Sequence, residues 1–139
     1  MSTDGNHSFE IRLKNAAGVP VLQLGGTLTR TALEAVRSTL ERLAGAGHYH
    51  VVINLERVQS VNSAFLDTLA GAVRNIRSHY GAVDLVVTQE RIRQLLRADK
   101  LAELFRLSQS ERHAIGRIKR LQRPPDGVYT TNARIQEKP

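Results

Sequence analysis

From Ser8 to Leu13 the chain alternates, with Phe9, Ile11 and Leu13 on one side and Glu10 and Arg12 on the other. A period of two is the mark of a half-buried strand. A turn at Asn15-Ala16-Ala17-Gly18 leads into a second run, Val19 to Leu24, in which Val19, Val21 and Gln23 share a face. These two runs predict a hairpin, and the Gly25-Gly26 pair is expected to end it. Thr31 stands three residues before Glu34, a capping-box spacing, and Leu33, Val36, Leu40 and Leu43 then recur at helical intervals up to Gly45 and Gly47.

His50 to Leu55 is almost continuously apolar and β-branched, as strands covered on both faces are. Asn62 and Ser63 are both good N-cap residues. They precede Leu66, Leu69, Val73 and Ile76, again at helical spacing, with Gly81 closing the segment. Ala82 to Val87 reads as a further strand. Thr88 is placed to cap a helix carrying Ile92, Leu95 and Leu96, and 101–107 can hold a turn of helix and an edge strand. Ser108 and Glu111 repeat the capping-box spacing ahead of Ala114, Ile115 and Ile118.

The pattern predicts an α/β domain of order β-β-α-β-α-β-α-β-α, with about five strands and four helices over residues 8–120. Strands alternating with helices imply a mixed sheet with crossover helices. Residues 1–7 are expected to be flexible. Residues 121–139, opening with Pro124-Pro125-Asp126-Gly127, lose all periodicity and are expected to be extended or disordered.

Composition narrows the chemistry. The chain has 139 residues and no Cys, so disulfides and thiolate metal sites are excluded. Its start, MSTDGNHSFE, has no apolar signal segment, and no apolar run approaches a membrane span. A cytoplasmic protein is expected. The formal net charge is +7, and the excess gathers late: residues 111–139 carry 7 Lys/Arg against 3 Asp/Glu. No aromatic residues alternate with the basic ones from Arg117 to Arg123. Nucleic acid is therefore not expected as a partner.

The chain lacks a phosphate loop, a dinucleotide fingerprint, an HExxH and a GxSxG elbow. Asp84, between Val83 and Leu85, is expected to face solvent or pair with an arginine. No catalytic residue, metal ligand or cofactor is expected. The most suggestive stretch is Val51 to Leu69, where a buried strand leads through a short loop to the Ser63 hydroxyl at a helix start. Free N–H groups and the helix dipole favour an anion there. Simple helix capping by Asn62 or Ser63 explains the same residues.

Four segments in order resemble the STAS family: Gly26-Thr27-Leu28-Thr29; VVINLERV with Asn62-Ser63-Ala64-Phe65-Leu66; Gly81 to Val87; and Ile92 to Phe105. The likeness spans about residues 8–118. It implies the STAS fold and the role of an anti-sigma factor antagonist, not an enzyme. Ser63 then matches the phosphoacceptor, and Thr29, Asn62, Ser63, Ala64, Phe65 and Asp67 form the partner surface. The implied partner is an anti-sigma factor that is a serine kinase of the ATP-binding, histidine-kinase-like class, with a phosphatase to reset the switch. A homodimer is compatible with this reading. The family also implies an alternative, an unphosphorylated scaffold subunit of a stress-signalling assembly or an ABC lipid transporter. Asn62 and Asn54 stand where the family has Asp. Phe65 replaces its Gly and is expected to lie exposed on the partner surface.

Overall fold

The computed structural model describes residues 9–98 and 103–122. The chain runs β1 (Phe9–Ala16), β2 (Val19–Thr27), α1 (Arg30–Gly45), β3 (His50–Ser60), α2 (Ser63–Arg77), β4 (Ala82–Val86), α3 (Glu90–Ala98), β5 (Arg106–Ser108) and α4 (Glu111–Gln122). This is the order the hydrophobic pattern predicts. The sheet has five strands in the order β1-β2-β3-β4-β5. β1 and β2 are antiparallel, and every later pairing is parallel. The tail expected at 1–7 lies outside the described residues, as does 123–139 of the tail expected at 121–139; Leu121 and Gln122 are not extended but end α4.

The hairpin closes through Ala17 and Gly18, both at positive φ (56° and 89°). Two left-handed residues in a row give a turn whose twist matches that of the flanking strands. The Gly25-Gly26 pair does not end β2, as the sequence suggested; it lies within it, opposite Glu10 and Phe9. A Cβ on Gly25 would come within 3.2 Å of the Arg57 Cβ. Gly25 serves a close strand approach, Gly26 takes a left-handed φ of 83°, and the β2–β3 register shifts beside them.

Side chains alternate across β2, β3 and β4, so each strand feeds two cores. Leu22, Leu24, Val51, Ile53, Leu55, Val83, Leu85 and Val87 join the larger one, packed with residues of α1, α2 and α3 such as Val36, Leu69, Val73 and Leu96. Val19, Val21, Val52 and Val86 form the smaller one with Ala114 and Ile118 of α4. Three helices thus cover one face and α4 covers the other.

Polar groups finish the second face. Glu111 accepts from Gln23 Nε2 at 2.5 Å and Asn54 Nδ2 at 2.6 Å, and pairs with Lys14 Nζ at 3.0 Å. Asp84 is fully buried. Ser108 Oγ donates to its Oδ1 at 2.7 Å, and Arg117 Nε to its Oδ2 at 3.0 Å. Of the two placements expected for Asp84, the arginine pair is the one found. Glu111 was expected to close a capping box with Ser108. It turns to the sheet instead, and Ser110 caps α4 by accepting from the His113 N–H.

Candidate functional site

Every parallel strand is followed by a helix that begins near the strand's carboxyl end. The starts of α1, α2 and α3 therefore gather along one edge of the sheet, the usual place for binding sites in open α/β folds. Each start is built differently. Thr29, not Thr31, caps α1: its Oγ1 accepts from the Ala32 N–H at 3.2 Å. Asn62 caps α2, with Oδ1 accepting from the Phe65 N–H at 2.8 Å and its carbonyl from the Leu66 N–H at 3.0 Å. Gln89, not Thr88, heads α3, accepting from the Arg93 N–H through its main-chain oxygen.

Ser63 is the first residue of α2 and is exposed, as are Asn62, Ala64 and Asp67. With the N–H groups of Phe65 and Leu66 satisfied by Asn62, the first turn retains the donors of Ser63 and Ala64, which have no intrahelical acceptor. No acidic residue stands in that turn, so nothing offsets the positive end of the helix dipole. Asp67 follows one turn later, on the same side as Ser63. Thr29 is half-buried on the neighbouring helix start. Thr27 Oγ1 donates to Gln59 Oε1 at 3.4 Å, linking the ends of β2 and β3. Alongside, a hollow of about 350 Å³ opens between α1 and α2, lined by Leu40, Asp67, Thr68, Gly71 and Ala72 among others.

Phe65 corrects the sequence reading. It was expected on the exposed partner surface, yet it is fully buried in the larger core. The cause is helical phase: Phe65 lies four residues before Leu69 and eight before Val73, on the inward stripe of α2. Thus Asn62, Ser63, Ala64 and Asp67 share one exposed patch with Thr29 beside it, and Phe65 supports that patch from beneath.

Two features escaped sequence reasoning. Gln89 Nε2 lies within hydrogen-bonding distance of three main-chain oxygens of β3, those of Leu55, Glu56 and Val58. Nothing local in the sequence signals this, although Gln is a poor N-cap type. The second is the row of polar contacts under α4, which joins residues as far apart in sequence as Lys14 and Glu111.

Burial holds His50, at the opposite end of β3, below the ordinary histidine range. Among the described residues no cluster of His, Asp and Glu could hold a metal ion, and no helix is long and apolar enough to cross a membrane.

Solved structures show the same fold. An anti-sigma factor antagonist from Mycobacterium paratuberculosis superposes with a TM-score of 0.73 at 19% identity, over 81% of this chain and 95% of that one. The anti-sigma factor antagonist SpoIIAA in its unphosphorylated form gives 0.67 at 20% identity, over 79% and 98%. The phosphorylated form of the Bacillus cell fate determinant SpoIIAA gives 0.64 at 20%, over 80% and 99%. The STAS domain model matches residues 10–114, and with three-quarters of the sequence inside that match the chain belongs to the STAS domain family.

Proposed function

We propose that this protein is an anti-sigma factor antagonist that docks an anti-sigma kinase at the sheet edge around Ser63, and that phosphorylation of Ser63 breaks the contact. The observation that carries this reading is the α2 start: an exposed hydroxyl at the first helical position, beside two N–H groups that have no intrahelical acceptor, with no carboxylate in the turn. The phosphorylated SpoIIAA among the similar structures agrees with it. The protein performs no chemistry itself. The kinase supplies the phosphoryl group from ATP, a phosphatase removes it, and the exchange takes place in the cytoplasm.

The switch follows from charge. Phosphorylation adds about −1.5 to −2 charges at one point. The first-turn N–H groups and the helix dipole hold that charge in place, while Asp67, one turn on, repels it. A partner surface packed over the patch would then face a buried dianion and be displaced. The neutral Asn62 keeps its cap bond in both states, so the helix start survives the change.

The test is incubation with the cognate kinase and ATP. A phosphate-sized mass gain on the protein, absent from Ser63→Ala, is the expected result. Ser63→Asp should bind the unloaded kinase at least tenfold more weakly than wild type, about 1.4 kcal/mol. Equal binding by wild type, Ser63→Ala and Ser63→Asp, with no mass gain, would sink the switch. A stable complex with a transporter ATPase, with Ser63 left unmodified, would instead favour a constitutive scaffold.

A further inference from the structure

The side chain of Gln89 is placed unlike those of the other residues that head helices. Thr29, Asn62 and Ser110 each use a side-chain oxygen to cap their own helix. Gln89 leaves that task to its main-chain oxygen and sends its carboxamide across to β3. There Nε2 meets the oxygens of Leu55 at 3.3 Å, Glu56 at 3.1 Å and Val58 at 2.9 Å. These carbonyls need a donor because β3 outruns its neighbour: the last β3–β4 pair is Asn54 with Val86. The other side of the same stretch is also irregular, with register shifts between Gln23 and Gly25 and between Gly26 and Thr27.

Two features make this contact adjustable. A carboxamide nitrogen has two hydrogens, yet three oxygens lie within its reach. The strand end can therefore shift and exchange acceptors without losing every bond. Gln89 Oε1, meanwhile, is buried with no hydrogen-bond partner among the described residues, so none of them pins the other half of the group. The contact also continues past Gln89. Its main-chain oxygen accepts from the Arg93 N–H at 3.1 Å, and Arg93 Nη1 donates to the Val87 carbonyl at 2.9 Å. The path runs from the strand that delivers Asn62 and Ser63, through Gln89, into α3 and the end of β4.

We propose that Gln89 is the positioning residue of the Ser63 site: its carboxamide sets the course of β3 from Leu55 to Ser60, and couples the state of the α2 start to the head of α3. The biological consequence rests on the function proposed for Ser63; the coupling does not. A negative charge at residue 63 pulls on the short link from Ser60 to Asn62, the three carbonyls shift relative to the carboxamide, and α3 registers the change. Coupling of this kind needs a contact with two discrete arrangements, and three acceptors for two hydrogens leave room for them.

The experiment uses the full chain, isotope-labelled, with amide and side-chain carboxamide resonances followed by NMR. Ser63→Glu serves as the probe of charge. The Gln89 carboxamide signals and the amides of Gln89 to Arg93 should move, while those of β1 stay. Gln89→Met, which keeps length and removes both donors, should speed hydrogen exchange at Arg57 to Ser60 about tenfold and abolish the Ser63→Glu shifts in α3. Gln89→Lys, which returns donors, should restore protection at Arg57 to Ser60.

An unmoved Gln89 carboxamide in Ser63→Glu overturns the inference. So does a Gln89→Met variant whose exchange rises equally over the whole sheet, which would mark a purely structural role. Should Gln89→Met fail to fold, the carboxamide shift in Ser63→Glu decides the matter alone. The two proposals fail separately. A kinase that never modifies Ser63 removes the switch and leaves these shifts to be measured. A phosphorylated Ser63 with a silent Gln89 removes the coupling and leaves the switch.

Discussion

The two faces of the sheet are held by different forces. On one, Leu, Val and Ile from β2, β3 and β4 meet three helices, and among the described residues no buried charged side chain enters the contact. On the other, four valines meet a single helix, α4, and the sheet contributes Gln23, Asn54, Asp84 and Ser108 as well. The first face is stabilised by area removed from water and by close packing. The second has fewer apolar side chains, and ion pairs and hydrogen bonds add to them in setting where α4 lies. The Ser63 edge belongs to the first face. Its geometry should therefore be insensitive to charge elsewhere and sensitive to holes beneath it.

The largest effect should come from opening such a hole. Phe65→Ala removes a fully buried ring under the α2 start. The expected loss is about 4 kcal/mol, the transfer term and the cavity term together, read as a lower urea midpoint. A loss under 1 kcal/mol would mean that the helix start carries little of the core and would break the contrast between the faces.

The next largest tests the second face. Arg117→Met strands the carboxylate of Asp84, which has no exposure of its own. Removing one member of a buried pair should lower stability by about 3 kcal/mol. Replacing both, as Asp84→Leu with Arg117→Met, should recover part of that loss, because an apolar pair needs no compensating charge, although the buried Ser108 hydroxyl then loses its acceptor. If the double variant is as unstable as the single one, packing of the Arg117 stem rather than the ion pair holds α4, and the two faces are more alike than their chemistry suggests.

The order of elements could be read from the sequence because periods of two and 3.6 report which way residues face. The same rule could have placed Phe65, which shares the inward stripe of Leu69, Val73 and Ile76; comparison with a family glycine drew attention to its bulk and away from its phase. Gly25 and Gly26 were misread because glycine marks either a break or a close approach, and only the position of Arg57 decides between them. Caps were identified to within a residue or two, since Thr29 and Thr31 are equally suited by type. Neither the Gln23–Glu111 bond nor the reach of Gln89 to β3 could be inferred locally. Each depends on how separate elements are brought together in the fold. At the candidate site, the hydroxyl and its helix start were legible in the sequence, and the side chains that position them were not.

The smallest effect, and the one most specific to α4, is acid sensitivity at Glu111. Burial alone would raise its pKa. The bonds from Gln23, Asn54 and Lys14, together with the charge of Lys14, outweigh burial and hold it below the ordinary carboxylate value of 4.5. A group whose folded pKa is depressed binds protons more readily when unfolded. Its contribution to stability is therefore complete above the unfolded value and is lost as pH falls through the folded one. The urea midpoint of wild type should drop more steeply than that of Glu111→Gln once pH passes below 4.5, and the excess should fade in high salt because Lys14 is partly exposed. Hydrogen exchange should speed first in α4 and leave α2 protected at the same pH. Parallel midpoint curves for the two proteins, or simultaneous opening of α2 and α4, would show that the second face is not held by these bonds and that the sheet opens as one unit.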